Sequence, residues 1–167
     1  MKLSMILSQL SSGMAGTIWI FVLTLVFSLP LGLLIALGRM SKNRIVSGVF
    51  RFYISLMRGT PLMLQLMVVY FGPFYLFGMN IGKWRFPAII TGFALNYGAY
   101  FAEIYRSGII SMDRGQYEAA KLLGYSKVQT FIRIILPQVV KRILPAITNE
   151  VITLVKDTSL AFSISSV

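Results

Sequence analysis

GTIWIFVLTLVFSLPLGLLIAL, residues 16–37, carries no charged side chain. A helix needs roughly 20 predominantly apolar residues to cross a bilayer core. This run meets that length, and Arg39, Lys42 and Arg44 close it. It predicts a membrane span. Pro30 and Gly32 lie inside it; membrane helices tolerate both, and they mark a kink or a close helix contact. Residues 1–12 are mildly amphipathic and read as an interfacial piece or as the lead into the span. The run is too long for a signal-peptide core and shows no small-residue cleavage site, so it reads as an uncleaved span.

Composition agrees with that reading. Of 167 residues 56% are hydrophobic and 13% charged, where soluble domains carry about a quarter charged residues. Mean hydropathy is +0.76. The formal net charge is +11, which in so apolar a chain points to an anionic lipid surface and topology signals rather than nucleic acid. The chain contains neither cysteine nor histidine. That excludes disulfides, thiolate metal sites, cysteine nucleophiles and imidazole proton transfer.

Further apolar stretches follow. The second expected span covers about residues 54–77, with RGTP at residues 58–61 ahead of its core. Pro61 lacks an N–H and suits the first turn of a helix or a break, so two shorter helices joined at Gly59 are expected. Gly72, Pro73, Gly78 and Asn80 end the stretch. The third span is expected over about 86–105, preceded by Trp84 as an interfacial anchor, and the fourth over about 143–160. Basic residues crowd the first and third inter-span segments, and only Lys83 and Arg85 lie in the second. By the distribution of Lys and Arg, those two segments are cytoplasmic and the amino terminus is external. The fold class expected is an all-α polytopic transmembrane bundle.

The segment 106–142 is a basic cytoplasmic loop too long for a turn. Asp113 suits a helix N-cap, with Gln116 in the reciprocal capping position. Glu118 lies early, where its charge suits the helix dipole. Ala119 and Ala120 favour helix, and Gly124 fits a left-handed stop. A second helix is expected from near Ser126 to Pro137. The short helix admits two readings: an interfacial helix on lipid headgroups, or a docking helix whose small residues let a cytoplasmic partner approach.

EAAKLLG followed by ILPQ resembles the EAA loop of ABC importer membrane subunits. RGTPLMLQL, NYGAYFAEIYRSGI, GQYEAAKLLG, LPAITNE and LVKDTSL resemble the permeases of the polar amino-acid uptake family, of the histidine, glutamine and arginine type. The match covers about residues 39–160. The resemblance implies a bacterial inner-membrane permease of the type I ABC importer kind. It implies pairing with a second permease subunit, identical or not. It implies a coupling helix gripped by cytoplasmic ATPase subunits through Glu118, Ala119, Ala120 and Gly124, and an external solute-binding protein that delivers the amino acid. ATP would be bound by the partner: this chain carries no GxxxxGK[ST] loop and is expected to catalyse nothing and hold no cofactor. The family continues past DTSL into a further span, so the sequence is expected to be truncated before it.

Ionisable residues in lipid are costly and face a bundle interior or a cavity. Glu150, beside Asn149, is a candidate for an ammonium or cationic side chain, and Asn96 for hydrogen bonds to the same ligand. Each has a structural alternative. Asn96 can be an interhelical hydrogen bond, and Glu150 can pair with Lys156 or an arginine. Glu103 and Arg106, one turn apart, read as a structural pair, and Arg58 as an interfacial charge or a partner of Asp157. The alternatives to amino-acid import are an importer of another small solute and a non-transporting membrane scaffold. A membrane enzyme lacks the chemistry.

Overall fold

The computed structural model describes residues 3–78 and 81–165; Asn80 lies outside them. Among the described residues every regular element is helical. α1 spans Leu3–Arg39, so the amino-terminal segment leads straight into the charge-free run. Ile20, Thr24, Ser28 and Ile35 turn inward along one face, whereas Trp19, Val26, Phe27, Leu34 and Leu37 stand exposed. An apolar helix with so much bare apolar surface suits lipid rather than water. Leu10–Arg39 is long and apolar enough to cross a membrane.

α2 (Arg44–Gly59) and α3 (Leu62–Phe77) meet the same test only as a pair, and their axes bend by 110° at the break. Thr60 and Pro61 are both extended there. A residue before proline is pushed out of the helical region, and Pro61 has no N–H to continue the ladder. The expected joint therefore stands where the sequence puts it, and the expected span 54–77 begins in the last turns of α2 and carries the bend.

α4 (Ile81–Ile110) is the central post, packed against α1, α2, α3 and α7. Its contact with α1 is close. A Cβ on Gly32 would meet Phe101 Cβ at 2.8 Å and the Gly98 carbonyl at 3.1 Å. In lipid, where apolar surface gains little from leaving the solvent, close packing of this kind drives helix association. Phe93, Tyr97, Phe101, Leu66 and Leu154 fill the core around it.

α5 (Arg114–Leu122) follows a short turn. Then α6 (Lys127–Gln129), a π-helical stretch (Thr130–Ile135) and α7 (Leu136–Ser165) run on without leaving helical geometry. The sequence predicts a stop at Pro137; the helix instead widens just before it. The proline ring would press on the carbonyl four residues back in a regular α-helix, and a π turn relieves that crowding. The expected boundary near residue 142 accordingly falls in mid-helix.

Candidate functional site

Two places in the fold carry polar chemistry. The first surrounds the α2–α3 break and the facing sides of α4 and α7. Breaking a helix orphans its last carbonyls. Gln65, one turn into α3, answers them: its Nε2 donates to Met57 O at 2.8 Å, Thr60 O at 3.1 Å and Thr60 Oγ1 at 2.7 Å. Its Oε1 accepts from Asn96 Nδ2 at 2.8 Å, and Asn96 Nδ2 also reaches Met57 O at 3.4 Å. Asn96 is thus a buried interhelical partner that latches α4 to the break.

One residue further along α4, Tyr97 points elsewhere. Its hydroxyl donates to Asp157 Oδ2 on α7 at 2.6 Å. Tyr100, a turn later, lies beneath the Arg58 guanidinium, 5.2 Å from the ring centre. Asp157 is therefore held by Tyr97, and Arg58 stacks on Tyr100; neither is the other's ion-pair partner. Glu150 sits seven residues before Asp157, two helical turns away on the same face of α7. It lies within electrostatic reach of Arg58 and Asp157. Among the described residues its carboxylate makes no ion pair, with Lys156 or any other cation. The ion pair that does form joins Arg106 to Glu103, as their spacing predicts. The cluster sets the Glu150 carboxylate within reach of one guanidinium and of a second carboxylate, with two tyrosines on the α4 side.

Of the residues singled out from sequence, Glu150 belongs to this cluster. Asn149 neighbours it in the chain but is exposed. Asn96 faces the α2–α3 break, and no hydrogen bond joins it to Glu150 or Asn149 among the described residues. Tyr97 and Tyr100 had no reading in the sequence, and Arg58 was read there as an interfacial charge or as a partner of Asp157. The seven-residue spacing of Glu150 and Asp157 was the available signal, because it puts two acids on one helical face.

The second place is α5. Asp113 caps it, its Oδ1 accepting from Gly115 N at 2.9 Å. Gln116 does not complete that cap. Its side-chain amide pairs reciprocally with Gln138 on α7, at 3.0 and 2.8 Å. The reciprocal box forms one helix later, between Ser126 and Gln129. Gly124 takes φ +82°. Tyr125 N bonds to Ala120 O at 3.0 Å and Gly124 N to Lys121 O at 3.1 Å. This is the paired bonding of a Schellman stop, which satisfies the last carbonyls and turns the chain sharply.

Exposure on α5 sorts the candidate contacts. Glu118, Ala119 and Gly124 face outward. Ala120 is 1% exposed, so its methyl packs inward and cannot meet a partner while this fold holds. Leu122 and Leu123 stand 89% and 76% exposed. Beside them Tyr117, Glu118, Lys121, Tyr125, Lys127 and Phe131 line part of a cleft of about 670 Å³. Arg142 Nη1 bonds Ser111 O at 2.7 Å and so fastens the end of α4 to α7 just behind α5.

The family model described as the inner membrane component of binding-protein-dependent transport systems matches residues 28–165. The chain is 43% identical over 156 residues to the L-cystine transport system permease protein TcyB of Bacillus subtilis, covering 93% of this chain and 65% of that one. It is 42% identical over 139 residues to a putative glutamine transport system permease protein, GlnP, of Rickettsia bellii, covering 83% and 63%. It is 43% identical over 148 residues to the arginine transport system permease protein ArtQ of Bacillus subtilis, covering 89% and 67%. Among solved structures, the crystal structure of an amino acid ABC transporter with histidines superposes with a TM-score of 0.84 at 36% identity, covering 99% of this chain and 77% of that one. The chain thus spans somewhat under two thirds of the length of the cystine and glutamine relatives.

Proposed function

The chain belongs to the binding-protein-dependent transport system inner membrane component family, and we propose that it is the permease subunit of an ATP-driven importer of polar amino acids. One observation carries the substrate class: Glu150 lies within electrostatic reach of the Arg58 guanidinium and of the Asp157 carboxylate, with Tyr100 beneath Arg58 and Tyr97 bonded to Asp157. A free amino acid presents a carboxylate and an ammonium a few ångströms apart. A guanidinium suits the first and a carboxylate the second. Glu150, whose carboxylate makes no hydrogen bond among the described residues, is the ligand contact; Asn149 flanks it, and Asn96 positions the α2–α3 break through Gln65. A cationic side chain adds a second positive group, and the second carboxylate suits it.

α1, the α2–α3 pair, α4 and α7 cross the bacterial inner membrane in this reading, with the amino terminus outside. α5 lies in the cytoplasm, where Glu118, Ala119 and Gly124 meet an ATPase subunit. A second permease subunit and an external solute-binding protein complete the assembly. The printed names of relatives, which concern cystine, glutamine and arginine transport, support the substrate class.

Reconstitution of the complete transporter in proteoliposomes tests the proposal. Arginine, histidine, glutamine and cystine would each be offered with ATP and the binding protein. ATP-dependent uptake of at least one of them is expected. Robust ATPase activity with uptake of none, but of a sugar or an inorganic anion instead, would overturn the substrate class.

A further inference from the structure

At the elbow between α1 and α2 lies a cleft of about 380 Å³ lined by Ser41, Lys42, Arg44, Ser47, Gly48 and Arg51. Its frame is rigid. Arg39 Nη1 donates to Ser47 Oγ at 3.0 Å, and Ser47 Oγ donates back to Arg39 O at 2.8 Å. The Asn43 side chain caps α2 by accepting from Ile45 N at 2.9 Å. Lys42, Arg44 and Arg51 are exposed, and among the described residues none has a carboxylate in salt-bridge reach. Arg39 and Arg51 are close enough to repel each other. Like charges gathered with no carboxylate in salt-bridge reach favour an anion between them.

Gly48 supplies an independent clue. It lies in mid-helix, where glycine costs stability relative to alanine. No packing explains it, because a Cβ there would meet nothing within 4 Å. What the missing side chain leaves is open space in the floor of the basic cleft. Flanking the cleft along the same helix, Ile45, Val49 and Phe52 are 78%, 61% and 70% exposed, a surface fitted to acyl chains.

We propose that this elbow is a binding site for the phosphate headgroup of an anionic phospholipid, its acyl chains lying along Ile45, Val49 and Phe52. The chemistry is that of a phosphodiester held by Lys42, Arg44 and Arg51, with Gly48 allowing close approach to the backbone. The inference rests on the membrane reading above. Its test does not read transport, so the two can fail separately.

The complete transporter, delipidated in detergent, would be titrated with phosphatidylglycerol and phosphatidylcholine, and bound lipid counted by native mass spectrometry. Phosphatidylglycerol should bind more tightly. Lys42→Gln with Arg51→Gln should weaken it about thirtyfold. Gly48→Leu, which fills the cleft and leaves every charge in place, should weaken it too. Arg133→Gln with Lys141→Gln, both exposed elsewhere, should leave it unchanged. Equal binding of the two lipids would overturn the proposal, as would indifference to Gly48→Leu or an equal loss in the Arg133 and Lys141 control. Glycerol 3-phosphate binding as tightly as the lipid would assign the cleft to a soluble phosphate ester and sink the lipid assignment.

Discussion

Tyr97 on α4 and Asp157 on α7 are sixty residues apart in sequence and 2.6 Å apart in space, hydroxyl to carboxylate. That bond ties the central post of the bundle to the helix that carries Glu150. It also gives a carboxylate oxygen on α7 a hydrogen-bond donor from α4. Tyr97→Phe removes the donor and keeps the ring packing. We expect a loss of about 1–2 kcal/mol in stability and impaired uptake, read by thermal unfolding and by labelled arginine. Wild-type values for both would mean the bond carries nothing.

Glu150 and Asp157 share a face of α7, but Tyr97 engages only Asp157. In the proposed reading Glu150 is therefore the carboxylate that answers a ligand. Glu150→Gln should cut uptake of a cationic amino acid about tenfold or more, the equivalent of roughly 1.4 kcal/mol, and spare a neutral one. The comparison is arginine against glutamine in one preparation. Equal losses for both would argue against charge recognition at this position.

Gln65 and Asn96 distinguish a latch from a ligand. Gln65→Leu strips its donors from Met57 O and Thr60 O and leaves Asn96 only its longer bond to Met57 O at 3.4 Å. Removing one partner of a buried pair costs about 1–3 kcal/mol, whereas removing both is milder. The double variant Gln65→Leu with Asn96→Leu should therefore be destabilised by less than the sum of the singles. Strict additivity in thermal unfolding would show that the two amides are not coupled.

Local chemistry made much of this legible. The charge-free run fixed α1, proline and its predecessor fixed the α2–α3 break, and Asp113, Gly124 and Ser126 each mark a helix end through their own backbone preferences. What stayed hidden depends on partners distant in sequence. Gln116 satisfies a capping pattern, but in the fold Gln138 outcompetes it for the amide. Ala120 looks like surface in a helical wheel of small residues, yet in the fold it is buried. Asp157 reads as a partner for Arg58 until Tyr97 is placed opposite. The π stretch before Pro137 has no sequence signature beyond the proline itself.

Gly32 on α1 tests the packing argument. A Cβ there meets Phe101 Cβ at 2.8 Å and backbone atoms of Gly98 and Ala102 at 3.1 and 3.2 Å. Backbone cannot move aside as a flexible side chain can. Gly32→Val should force α1 from α4 and cost about 1–3 kcal/mol, seen as a lowered unfolding temperature in detergent. Gly16→Val, where no atom lies within 4 Å, should be neutral. A stable Gly32→Val protein would mean that the helices are not in intimate contact.

Gly124 decides whether α5 transmits motion. With φ at +82°, any side chain there costs about 1–2 kcal/mol, so Gly124→Ala strains the stop and shifts the aim of α5. The Gln116–Gln138 pair also ties α5 to α7, the helix that carries Glu150 and Asp157. If an ATPase grips α5, loosening either end should uncouple the machine. Both Gly124→Ala and Gln116→Ala are expected to leave the subunit inserted and the ATPase turning over while uptake per ATP falls. Uptake and hydrolysis would be measured together in proteoliposomes. A parallel fall in both rates would point to lost assembly, and an unchanged ratio in the two variants would remove α5 from the path between nucleotide and substrate.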